Sequence, residues 1–234
     1  MEIDVKQCIN EIIRQLRTME SLMASHQKAA ETNSKMGWVF DSGLVPNPPV
    51  NHSYNSPTGI LVICFRHQDR RFHKKHEVTI ESHFCFLHPG IIKSRCSELI
   101  TNHEYLGICD QLDEDYRTGW EWVELDIFAN NGQAPSEIWK KPKNGNSYAA
   151  YCEVLSAFMF IPELVEIIKI SGISLCLAGY IVLKPSPDLT KEVKEACTLR
   201  LAYKKDCGIH LGLISGSEKI EGNCCPQVRK LAFN

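Results

Sequence analysis

The chain has 234 residues, 44% of them apolar and 23% charged, with a formal charge of −2, and this is enough for one large domain with a substantial core. That balance argues against a nucleic-acid carrier, and the longest uncharged apolar run, residues 170–183, is too short to cross a bilayer. Eleven cysteines, an odd number with no Cys-x-x-Cys, read as reduced thiols packed as small hydrophobes in a cytoplasmic or nuclear protein. The one sequon, Asn51-His52-Ser53, is then left unread.

Taken in order, residues 1–35 form an amphipathic helix. Val5, Ile9, Ile12, Leu16, Met19 and Met23 follow steps of four and three, with charged and amide residues elsewhere on the wheel. Such a stripe either packs on its own domain or makes a homo-oligomer through residues 1–31. Residues 36–58 are a Pro-rich linker loop, with Pro46, Pro48, Pro49 and Pro57 barring regular structure.

The segment 59–214 reads as a β-sandwich. Gly59 to Phe65 is an apolar, β-branched strand. Residues 66–76 carry a net +4 and read as a charged hairpin loop, and the alternation of Val78, Ile80, Phe84 and Phe86 marks the next strand. Tyr105 to Cys109 forms a further strand. The acidic stretch from Asp110 to Asp126 sums to −6.

Thr118 to Phe128 shows the clearest two-residue alternation. Glu121, Val123, Leu125 and Ile127 share one face, and Trp120, Trp122, Glu124, Asp126 and Phe128 share the other. It is expected as a central antiparallel strand. A loop from Asn130 to Ser147 follows, and Ala149 to Ile161 is apolar enough for either strand or helix. Glu166 to Leu175 and Leu177 to Leu183 read as strands parted near Gly172 or Gly179. Leu199 to Tyr203 and Ile209 to Ile214 form a hairpin about Lys204-Lys205-Asp206, and residues 215–234 are read as a C-terminal tail.

Catalytic motifs are absent from the sequence: it holds no phosphate-binding Gly-rich loop, no Gly-x-Ser-x-Gly elbow and no His-Glu-x-x-His. No cofactor is called for. His83 with Cys85, or His76 with His88, could supply two metal ligands from one strand face, but no third ligand is evident and no metal is expected. An enzyme of an unrecognised class would have to use this His/Cys region. The richest surface chemistry lies in Trp120 and Trp122 beside Glu124 and Asp126, which could stack a sugar ring and accept its hydroxyl protons. The alternative is that helix or loop covers both indoles. Arg70, Arg71 and Lys74 form a second, basic ligand-binding patch.

The strands Ile60-Leu61-Val62-Ile63-Cys64-Phe65 and His76 to Phe86, the tripeptide Glu104-Tyr105-Leu106, the run Trp120-Glu121-Trp122-Val123-Glu124-Leu125 and the segment from Ile167 to Leu175 together resemble one family. It is the C-terminal jelly-roll and Ig-like domain of plant TIR-type leucine-rich-repeat immune receptors. The Gly119-Trp120 strand also resembles a strand of plant phloem lectins. Both resemblances imply a non-enzymatic antiparallel β-sandwich. The first implies a protein ligand met through loops, in defence or sensing, and the second implies a glycan bound by exposed aromatic rings.

Overall fold

The computed structural model describes residues 4–36, 44–66, 76–79, 105–111, 119–140, 147–149, 151–184, 195–205 and 208–231. Within them lie five helices, α1 (Val5–Leu16), α2 (Met19–Met36), α3 (Pro135–Trp139), α4 (Tyr151–Phe160) and α5 (Glu163–Ser171). The strands are β1 (Gly59–Arg66), β2 (His76–Thr79), β3 (Tyr105–Gln111), β4 (Gly119–Asp126), β5 (Ser147–Tyr148), β6 (Ser174–Cys176), β7 (Tyr180–Lys184), β8 (Glu195–Lys204), β9 (Gly208–Ser215), β10 (Asn223–Cys224) and β11 (Gln227–Lys230).

They make two sheets. The first runs β1-β4-β11-β5, all antiparallel. In the second, β9 lines one edge of β8, while β6 and β7 share its other edge at opposite ends. From there β7 continues to β3 and β2, and β6 to β10, the one parallel pair described. The expected antiparallel sheets and helical N-terminus are therefore present, but with α3, α4 and α5 between strands the chain is a mixture of helix and sheet rather than mainly β.

β1 is buried on both faces, every side chain from Ile60 to Phe65 being at most 2% exposed. Each large one contributes about 1.5–3 kcal/mol relative to leaving it in water. One apolar core joins β1 and β4 to Ile9, Ile13 and Leu16 of α1, Val154, Ala157 and Phe160 of α4, Leu164, Ile167 and Ile168 of α5, and Leu199 and Leu201 of β8. A smaller cluster gathers Ile138, Tyr148, Cys176, Ala178, Ile214 and Cys225.

Four expectations need correction. The N-terminal helix is two helices. Asp4 caps α1 by accepting from the Lys6 and Gln7 amides, and the Thr18 hydroxyl, accepting from Ser21 N, starts α2 after a break at Arg17. The break re-phases the buried stripe, so α2 buries Leu22, Ser25, Ala29 and Thr32 and leaves Met19 and Met23 44% and 48% exposed.

Residues 166–171 are helical rather than a strand. Leu164, Ile167 and Ile168 supply an i, i+3, i+4 face, Glu163 and Glu166 occupy the first turn, and Gly172 closes the helix at φ 68° with its N–H on Ile168 O. The β-branched residues Ile167, Ile168 and Ile170 favour a strand by propensity, and packing against α1, α4 and β8 overrides it. The apolar segment before it, open between strand and helix, is α4 and lies along β1.

The loop expected after Asn130 contains α3, opened by Pro135. Residues 215–231 are no tail either. β11 is inserted between β4 and β5, so Arg229 stands directly opposite Glu124.

Candidate functional site

β4 is the second strand of the first sheet, paired on both sides, as expected of a central strand. Its register with β1 sets Phe65 against Trp120, Ile63 against Trp122, Leu61 against Glu124 and Gly59 against Asp126, so these side chains share one face. The face does not meet solvent. Trp120 is 9% exposed and Trp122 0%, with the Trp120 ring 5.2 Å from Phe65 and 5.8 Å from Phe160 of α4. Their indole N–H groups donate to Asn33 Oδ1 of α2 (2.9 Å) and to Pro46 O (2.8 Å). Of the two readings of Trp120 and Trp122, a stacking platform or rings covered by helix or loop, the covered one holds, the covering layer being α2, α4 and the Pro-rich loop.

The carboxylates beside the rings are occupied by the same loop. Glu124 is 3% exposed, and burying a charge is costly unless its oxygens are satisfied. Its Oε1 accepts from Asn55 N (2.9 Å) and Ser56 N (3.1 Å). Its Oε2 lies 3.2 Å from His52 Nε2 and 3.6 Å from Arg229 Nη1. Asp126 Oδ2 accepts from Ser56 Oγ (2.6 Å), while Oδ1 accepts from Thr58 Oγ1 (2.8 Å) and Phe128 N (3.0 Å). Glu124 therefore holds backbone amides of the protein's own loop, and Asp126 holds its hydroxyl side chains.

A second clamp comes from the break between α1 and α2. Arg17 donates to Gly59 O through Nε (2.9 Å) and Nη2 (2.6 Å), and Nη2 also reaches Ser56 O and Pro57 O, both at 2.8 Å. Its guanidinium lies 4.1 Å from the centre of the Tyr54 ring, which in turn meets His52 edge-on at 4.9 Å. Burial raises the Tyr54 phenol above its ordinary range, with Glu124 adding to the shift and Arg17 opposing it. Gly59 is required here, because a Cβ at that position would lie 2.5 Å from Glu124 Oε1.

The result is a loop of residues 44–58 without regular structure whose backbone is fastened along its length. Asn51 turns it at φ 61°, a conformation asparagine tolerates. On its outer side Leu44 is 93% and Val50 72% exposed.

Arg17, His52, Ser56 and Thr58 were not singled out from sequence. The only available sign was an arginine interrupting a helical stripe and a run of hydroxyl and amide residues among prolines. Arg70, Arg71, Lys74, His83, Cys85 and His88 lie outside the described residues. Among the described residues no three His, Cys, Asp or Glu side chains converge as metal ligands, and no helix is long and apolar enough to cross a membrane. No protein-family model, curated protein or solved structure matches the chain.

Proposed function

We propose that the chain is a non-enzymatic recognition module that takes a protein ligand on the loop of residues 44–58. One observation carries this reading: a loop tied down by Arg17, Trp122, Glu124 and Asp126 still holds Leu44 and Val50 out in water. The ordering cost of such a loop is met when the domain folds, so little of it remains to oppose binding, and apolar groups on a rigid edge are the kind of anchor a protein surface can bury. The finer fold we propose is the jelly-roll or Ig-like sandwich of the TIR-type receptor domain, to which the two antiparallel-rich sheets sharing one core lend support. Defence or sensing, in the cytoplasm or nucleus, is the setting that goes with it. The lectin reading loses its basis because the indoles it needs are covered.

A photo-crosslinking amino acid placed at Val50, with exposed Glu163 as the control position, tests this in cells. A protein adduct should form from position 50 and not from 163, and the Leu44→Asp/Val50→Asp variant, with unchanged melting, should compete for that partner less well than the parent chain. Identical adducts from both positions, or binding seen only on a glycan array, would overturn it.

A further inference from the structure

The register of the second sheet gathers a set of polar side chains that the loop site does not use. Asn223 pairs with Ser174 and Cys224 with Leu175 in the parallel ladder, so Cys225 comes next to Cys176 one residue beyond it. Across the other edge of β6, Cys176 faces Arg200. Residues opposite one another share a face, so Asn223, Cys225, Ser174, Cys176 and Arg200 lie together, while Leu175, Leu201 and Cys224 belong to the main core. Cys176 and Cys225 are 0% exposed reduced thiols in the small apolar cluster with Ile138 and Tyr148.

This cluster is rich in donors and short of acceptors. Arg200 Nη2 donates to Ser174 Oγ (2.9 Å), which donates to Asn223 Oδ1 (2.9 Å). Arg200 Nε and Asn223 Nδ2 are buried and make no hydrogen bond among the described residues, although Asn223 is only 1% exposed. Buried N–H groups are costly without an acceptor, and a negative or oxygenated sulfur is an acceptor. Adjacent strands run about 4.8 Å apart, inside the roughly 4.4–6.8 Å Cα window of a disulfide.

We propose that Cys176 is a nucleophilic thiol oxidised by hydroperoxides and that Cys225 is its resolving partner. The Cys176 thiolate attacks the distal peroxide oxygen. An S–O bond forms, the O–O bond breaks, and the leaving alkoxide or hydroxide takes up a proton. The sulfur becomes a sulfenic acid whose oxygen can accept from the waiting N–H groups. Cys225 sulfur then attacks Cys176 sulfur, an S–S bond forms, the S–O bond breaks, and the hydroxide leaves as water with the Cys225 proton. Two thiols lose two electrons and the peroxide gains them, giving one alcohol or water and a second water. Consistent with this, the thiol hydrogen bond from Cys225, aided by Arg200, lowers Cys176 below the ordinary thiol range despite burial and Glu218, whereas burial pushes Cys224 up to about 12.

The test is hydrogen peroxide titrated against the folded chain, quenched with a thiol alkylator and digested with trypsin. The Cys176 and Cys225 peptides should become disulfide-linked in wild type and in Cys224→Ser before half-buried Cys8 is oxidised. Cys176→Ser should abolish the link, and Cys225→Ser should leave Cys176 sulfenic acid that dimedone traps. Oxidation of Cys8 first, a link that requires Cys224, or no link in wild type would each overturn the assignment, and the wild-type competition holds even if a variant fails to fold.

Discussion

Glu124 and Asn223 are polar side chains buried almost equally deep on sheet strands, 3% and 1% exposed, yet their surroundings are opposite. Around Glu124 two amide N–H groups, a histidine and an arginine converge on two oxygens, and the carboxylate is the nail that fixes a loop. Around Asn223 the donors outnumber the acceptors, and nothing is fastened except Ser174. Burial of a polar group alone thus says little about its role. The balance of donors and acceptors separates a scaffold from a place where an acceptor can be made.

Removing each group in turn separates the two roles. Glu124→Leu strands the Asn55 and Ser56 amides and leaves Arg229 opposite an apolar strand. Breaking a buried, hydrogen-bonded pair from one side costs about 3–5 kcal/mol. Urea denaturation should show that loss, and limited proteolysis should cut within residues 44–58 of the variant. A variant that is stable and protease-resistant would show that the loop is held by something other than the carboxylate.

Gly59→Ala reaches the same carboxylate without touching its charge. The added Cβ displaces Oε1 from the Asn55 and Ser56 amides, and overpacking of this kind costs about 1–3 kcal/mol. The thermal midpoint should fall, and the fall should largely vanish in a Glu124→Leu background, where the clashing oxygen is gone. Additive losses would say that Gly59 matters for its backbone alone.

Alkaline pH separates the two faces of the β6–β10 ribbon. Cys224 has its folded value pushed up to about 12 from 9.0, mainly by burial, so the folded chain keeps a proton that the unfolded chain releases. Stability is therefore full below pH 9 and is lost as pH rises toward 12, by at most about 1.4 kcal/mol per pH unit. Cys176 is shifted the other way and contributes stability as pH rises through the thiol range. Denaturant midpoints across this range should flatten in Cys224→Ala and steepen in Cys176→Ser.

Much of the fold was legible in the sequence, and particular residues show where reading stops. β1, β4 and the β8–β9 hairpin follow from apolar runs, alternation and a Lys204-Lys205-Asp206 turn, all local signals. α5 was hidden because Ile167, Ile168 and Ile170 carry strand propensity while its helical evidence, a Gly172 cap and a face completed by Leu164, depends on what packs there. The phase of α2 was hidden by a break of two residues. The site was least legible. Trp120 and Trp122 are covered by α2, α4 and a loop more than seventy residues away in sequence, and Arg17 reaches Gly59 across 42 residues, so no local pattern could pair them.

Asn223→Leu removes a side chain as buried as Glu124, and by burial alone the two changes should hurt alike. By the balance of donors they should not. The asparagine gives up one hydrogen bond, from Ser174, and with it a buried N–H that had no acceptor, while Ser174 keeps its bond from Arg200. The Ser174 hydroxyl is left without its acceptor, a cost that the removal of the unsatisfied Nδ2 offsets in part, so the loss should be about 1 kcal/mol, well under that of Glu124→Leu. Paired urea curves for Asn223→Leu and Glu124→Leu decide it. Equal losses would mean that Nδ2 meets an acceptor in solution, and the polar cluster around Cys176 would then be one donor poorer.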